Sequence, residues 1–340
     1  MAVVLALVLG LVATVQAAPL ELQTVAADAK WVVHVDIDAV HASMVFQKAR
    51  DKCLTEHKEI AQHLAKLPEL IGMDPRKDLH GVTAYGPQIG KHTGVLIVHA
   101  KVNQKLLLEK AEKAPDHKLL KQGGYEIHTW SHKGPKGSHT VAGAFFKPEV
   151  LVFSDCPVQL QAALDVLAGK QPGAGSSSPL AGKIPPGTSV LLRVAGIAAA
   201  DLPGKVPPLV KQIDSARFVV GENEGKSFFR AKANMTNTEV TGQVKAIIDG
   251  GVALAKLHCN KDELAKKLID ALHVTADGKT LTILWSAPAG DVWEMVQKHA
   301  KIMAEKWAKQ HHKPGGPQGE KKGDAKGCPS QPAPVREDEF

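Results

Sequence analysis

The chain has 340 residues, of which 44% are hydrophobic and 23% charged. That is ordinary globular composition with enough apolar material for a core, and the length suggests about two domains. The formal net charge is +7, with Lys and Glu interleaved along the chain, which excludes a blocked basic groove for nucleic acid and leaves a solvated mixed surface. Aromatic residues make up only 4%, so Ala, Val and Leu must fill the interior.

Val3 to Val15 is apolar apart from Gly10 and Thr14. Val15-Gln16-Ala17 follows with small residues, and Pro19 favours a cut after Ala17. The run is shorter than the roughly 20 residues that span a bilayer. It reads as a signal peptide over 1–17, although no Lys or Arg precedes it. The mature chain is then periplasmic or secreted. No later stretch reads as a transmembrane helix.

A first α+β module is expected over 30–168. Trp31 to Ile37 is β-branched and reads as a strand, with Asp38 capping a helix from Ala39. Thr55 to Lys66 is helical, then Leu79 to Tyr85 and Gly94 to Lys101 form a hairpin around Gly86, Pro87 and Gly90. Leu106, Leu107, Ala111 and Ala114 give a helical stripe. Strands follow at Tyr125 to Trp130, Thr140 to Phe146 and Val150 to Ser154, then a helix at Pro157 to Ala168. Gly169 to Gly187 is rich in Pro, Gly and Ser and reads as a flexible linker.

A second module, 188–308, repeats the order. Its strands are Ser189 to Val194, Ala216 to Val220, Ser227 to Ala233 and Thr280 to Trp285. Its helices are Glu239 to Leu257 and Val292 to Trp307. Residues 309–340 hold almost no large apolar side chains and read as a disordered tail. The fold class is α+β: two similar modules of ferredoxin-like, split βαβ character, with helices packed on one face of antiparallel sheets. In architecture the chain resembles uncharacterised exported bacterial proteins with tandem α/β modules. That resemblance implies no activity.

Residues 34 to 43, HVDIDAVHAS, resemble the first active-site motif of translesion DNA polymerases. Asp36 matches its metal-binding Asp, and Asp38 its second acidic position. Val40 and His41 stand where that motif has aromatic residues, and no S-x-D-E follows to complete a two-metal site. The chemistry left in the segment is local. His34, Asp36 and Asp38 alternate, so in a strand they share a face and make a candidate ligand set for a divalent metal. In the second module Arg193, Ala195 and Ile197 take their places.

Other motifs carry less. Gly86 to Lys91 has three residues between its glycines, where a phosphate loop has four. His128 and His132 would sit about 13 Å apart along a strand. No G-x-S-x-G occurs, and Ser176 to Ser178 lie in the linker. Asn234-Met235-Thr236 fits a glycosylation sequon. Cys53, Cys156, Cys259 and Cys328 are widely spaced. That excludes a zinc ribbon or dithiol motif and leaves three disulfide pairings open. The reading is an exported, non-catalytic binding or structural protein with an envelope or extracellular protein partner and no cofactor. The alternative is a metal-binding protein or metal-dependent hydrolase using His34, Asp36 and Asp38.

Overall fold

The computed structural model describes residues 19–89, 94–134, 137–200, 202 and 206–311. The expected signal peptide and the tail beyond 311 lie outside the described residues. The chain divides into two compact units, up to Val296 and from Gln297, and every strand belongs to the first.

The chain enters β1 (Trp31–Asp36), whose Val32, His34 and Asp36 are buried while alternate residues are half-exposed. Asp36 ends the strand and caps α1 (Ile37–Ala42), its Oδ1 accepting from Ala39 N at 2.8 Å. The cap thus lies two residues earlier than expected. Asp36 has extended backbone angles and reaches the N–H three residues on, as an N-cap does. Ser43 caps α2 (Met44–Glu56), and α3 (Lys58–Ile71) follows.

Then come β2 (Leu79–Gly86), β3 (Val95–Ala100), α4 (Gln104–Glu112), β4 (Lys118–Gln122), β5 (Tyr125–Gly134), β6 (Gly137–Lys147), β7 (Val150–Ser154) and α5 (Pro157–Leu167). Past the expected linker are β8 (Thr188–Ala195), β9 (Ile213–Asn223), β10 (Lys226–Met235), α6 (Thr238–His258), α7 (Glu263–Asp270), β11 (Leu272–Asp277) and β12 (Thr280–Pro288). The last helix, α8 (Ala289–His311), continues into residues expected to begin the tail. No helix among the described residues is long and apolar enough to cross a membrane.

The fold is mixed α+β. Among the described residues, 12 strands form one antiparallel sheet, ordered β11-β12-β10-β9-β8-β1-β2-β3-β7-β6-β5-β4. At its centre β1 pairs with β8, His34 opposite Leu191. Outward from β1 the order is β1-β2-β3-β7-β6, and outward from β8 it is β8-β9-β10-β12-β11. In each direction the third strand is followed in sequence by a helix, then by the strands that close that side. Because α1, α2 and α3 all intervene, the chain returns with β2 directly beside β1.

Directly opposed residues of antiparallel strands point to one side of a sheet. The register therefore defines two faces. One carries His34, Thr83, Ile97, Val152 and Ala144 in a row, with Leu191 and Val219 on the other side of His34. It holds the main core, closed by Leu160, Ala163 and Leu164 of α5 and by Leu20, Val25 and Ala29 of the entering chain. The opposite face carries His128, Gly143, Phe153, Leu96, Ala84, Val33, Leu192, Phe218, Ala231 and Ile283 in one row. Here Val240, Val244 and Ile248 of α6 pack on Met235, Leu281 and Ile283. Helices thus lie on both faces, not on one as expected. A twelve-stranded sheet has two apolar faces to cover, and each needs its own layer.

The segment 169–187 also departs from expectation. Ala174 and Leu180 are fully buried in the main core, and Ile184 packs against it. Its start is pinned where Ala174 N donates to Val25 O at 2.7 Å. Its end is pinned at Gly187, which has φ +70 and passes so close to Glu222 O that any Cβ would sit 2.1 Å away. Between them stands Arg193 of β8, 2% exposed. Its guanidinium donates to Leu180 O at 2.6 Å, Gly182 O at 2.9 Å and Lys183 O at 3.4 Å. Burial, with Arg217 nearby, pulls its pKa down to about 10, so it stays charged at neutral pH. Arg217 adds a bond to Pro179 O at 3.3 Å.

A second tie joins the two sides of the sheet. The Glu222 carboxylate of β9 accepts from Ser43 Oγ and Met44 N, both at 2.9 Å, at the positive end of α2. Replacing Arg193 with Met should keep the bulk but orphan the carbonyls of 180–183. The expected result is a loss of roughly 2–4 kcal/mol in urea unfolding. New chymotryptic cleavage near Leu180 should appear before global unfolding.

Candidate functional site

Of the three residues expected to bind metal, two stay on one strand face and the third is parted from them. His34 and Asp36 share the core face of β1 and are 4% and 6% exposed. His34 Nδ1 lies 2.9 Å from Thr83 Oγ1. Asp36 is engaged as the cap of α1. Burial, reinforced by the charge of Asp38, raises its pKa, against the opposing bond from Ala39. Asp38 lies in the first turn of α1, with its carboxylate oxygens 3.1 and 3.2 Å from His80 Nδ1. The strand has ended by then, so the two-residue alternation no longer applies. Among the described residues no three His, Cys, Asp or Glu side chains converge as metal ligands. His34 and Asp36 instead border a cleft of about 300 Å³ walled by Pro19, Leu20, Ile184 and Leu191.

The remaining motifs resolve into structure. Gly86 closes β2, and Trp31 Nε1 donates to Gln88 O at 2.9 Å in the turn that follows. Gly90 and Lys91 lie outside the described residues. The sequon Asn234 is engaged on both sides of its amide, donating to Ser215 Oγ at 2.8 Å and accepting from Thr280 at 3.0 Å. Cys53, Cys156 and Cys259 are free thiols. Cys328 lies outside the described residues. Cys156 is the N-cap position of α5, without a side-chain cap bond.

An apolar pocket with an aromatic wall lies on the other face, between α4 and the sheet. Asn103 caps α4, its Oδ1 accepting from Leu106 N at 3.1 Å. Leu107, Leu108 and Ala111 of the helix, with Ala114 just beyond its end, line the near side of a pocket over β5, β6 and β7. Opposite them are Trp130, Phe145, Leu151 and Phe153. The space enclosed is about 280 Å³. Gly143 makes the floor possible: a Cβ there would lie 3.0 Å from the Phe153 ring and 3.1 Å from that of Trp130. Without it the two rings close over the strand. The helical stripe of α4 was legible from its spacing. The strand residues were not singled out, although a glycine inside a strand signals a close approach.

Two ionisable side chains border the cavity, His128 and Lys110. His128 is 8% exposed, and its Nδ1 lies 3.0 Å from Nε2 of His117, the rings stacked at 5.3 Å between centroids. Burial first, then the charge His117 would carry, lowers its pKa, while Glu112 and Glu126 oppose this. His128 is therefore uncharged at neutral pH. Lys110 is exposed in the last turn of α4. His132, further along β5, faces His139 across the hairpin at 5.2 Å between rings, both exposed.

No family model matches the chain, and no curated protein matches it. Among solved structures, crystal form I of TP0453, a Treponema protein, aligns with a TM-score of 0.41 at 9% identity, over 83% of this chain and 99% of that one. Crystal form IV gives 0.41 at 9%, over 81% and 95%. Overlap at this level says nothing about what the chain binds.

Two pH effects are expected. A histidine with a lowered folded pKa binds protons less readily than in the unfolded chain. Stability should then fall as pH drops from about 6.5 through the lowered value. Chemical denaturation of His128→Phe should show a flatter slope over that range. A carboxyl with a raised folded pKa behaves oppositely, its penalty growing as pH rises from the ordinary carboxylate range through the raised value. Asp36→Asn keeps the cap acceptor and should remove that penalty. Asp36→Ala should lose the cap, at about 1 kcal/mol.

Proposed function

We propose that this chain is an exported, non-catalytic binding protein whose ligand is a small apolar molecule held between α4 and the sheet. One observation carries the reading. The two sides of the sheet have the same strand order outward from the centre, and the helix after the third strand covers the same face on each. On the β10–β12 side the space beneath that helix is filled by Met235, Val244, Ile248 and Leu281. On the β3–β7 side it is open, at about 280 Å³, with an aromatic floor. A cavity of apolar lining and few polar groups is the usual form of a small-molecule site.

The shared strand order supports a duplicated module in which one copy kept a packed core and the other a binding space. Export is supported by the apolar run Val3 to Val15 and the small residues after it. In an envelope or extracellular setting, such a protein holds or carries a molecule that water dissolves poorly.

The test uses an uncharged solvatochromic probe, N-phenyl-1-naphthylamine, titrated against the mature protein. Saturable binding at one site is expected. Ala111→Phe and Ala114→Leu each fill the roof, and each should weaken the probe at least about tenfold while circular dichroism stays unchanged. Failure of the wild type to bind, or binding unaltered in both folded variants, would remove the cavity as the site.

A further inference from the structure

We infer that the ligand is a single-chain amphiphile with a carboxylate head, of the medium-chain fatty-acid class, and that Lys110 receives the head group. This rests on the cavity being the binding site.

The wall selects the tail. Leu107, Leu108, Ala111, Leu151 and Phe153 offer an occupant no hydrogen bond, so a polar tail would lose its water partners without replacement. The volume selects the size. At about 280 Å³ the space falls just below the usual range for drug-sized ligands, roughly 300–1,000 Å³. Open to solvent on one side, it has room for one medium chain.

The ionisable groups select the head. His128 is the buried one. Its Nδ1 is engaged with His117, and burial keeps it uncharged at neutral pH, so it attracts no anion. Lys110 is the exposed one, bordering the cavity from the last turn of α4. Among the described residues no carboxylate forms an ion pair with it. Glu112, two residues on, acts on His128 instead. An acyl chain entering along α4 would leave its carboxylate where the ammonium can reach it. An alcohol head would gain no charge pairing there, and an amine head would be repelled. Because Lys110 meets solvent, the contribution is modest, comparable to an exposed ion pair.

The experiment measures displacement of bound N-phenyl-1-naphthylamine by decanoate, 1-decanol and decylamine at pH 8 and low salt. In the wild type decanoate should bind about fivefold tighter than decanol, and decylamine more weakly than both. Lys110→Met should remove the advantage of decanoate and leave decanol unchanged. Lys110→Glu should invert the order in favour of decylamine. Equal binding of acid and alcohol in the wild type, or an equal loss of both in Lys110→Met, overturns the assignment of the head group. If the probe binds but no ten-carbon chain displaces it, the ligand class is wrong while the cavity reading survives. If the probe itself does not bind, the cavity reading fails and this inference with it.

Discussion

The guanidinium of Arg193 is the constraint on which the rest of the structure depends. It sits at the centre of the sheet, 2% exposed, with its hydrogen-bond donors directed at the backbone of 180–183. A charge so placed is costly unless its donors are met. Meeting them forces a Gly/Pro/Ser-rich segment to lie across β8 rather than swing in solvent. Leu180 and Ala174 are then delivered into the core. The pairing of β1 with β8 inside a single sheet follows from that cover. Glu222 at the N-terminus of α2 makes a second tie of the same kind, an acidic side chain meeting amide donors far away in sequence.

With one face sealed by the core and the crossing segment, the opposite face carries the difference between the two sides. The same row of the sheet passes beneath α6 at one end and beneath α4 at the other. At the α6 end it meets Met235 and Val244, side chains long enough to close the gap. At the α4 end it meets Ala111, Ala114 and Gly143, which are too short to do so. Small residues facing one another across two layers create volume, and aromatic rings around them give that volume a wall. The binding reading follows from this local choice of side-chain size. The strand order is common to both ends.

Much of the fold was legible in the sequence because most strands are half-buried and alternate. β7 is bounded at Val150 and Ser154 as read, and the turn at Glu224-Gly225 joins β9 to β10 where expected. The strands that were missed, β4 and β11, are the two edges of the sheet, with mostly exposed or half-exposed side chains and little apolar alternation. The Asp36 cap was misplaced because Asp36 and Asp38 are both good capping residues, and only the strand's end chooses between them. The crossing segment was misread because Leu180 and Ala174 stand alone among breakers, without a period to reveal them. What pins the segment is an arginine inside an otherwise apolar strand, and sequence does not show where its donors point. The metal cluster rests on alternation along a strand, and the strand ends at Asp36, two residues before Asp38. The cavity was least legible, since it is made by the shortness of residues contributed by one helix and three strands.

The most direct measurement is nuclear Overhauser contact between bound N-phenyl-1-naphthylamine and isotope-labelled leucine methyls. The account predicts cross-peaks to Leu107 and Leu151, which face each other across the cavity. Cross-peaks confined to Leu254 and Leu257, which are 59% and 69% exposed on α6, would place the probe on a bare helix surface and contradict it.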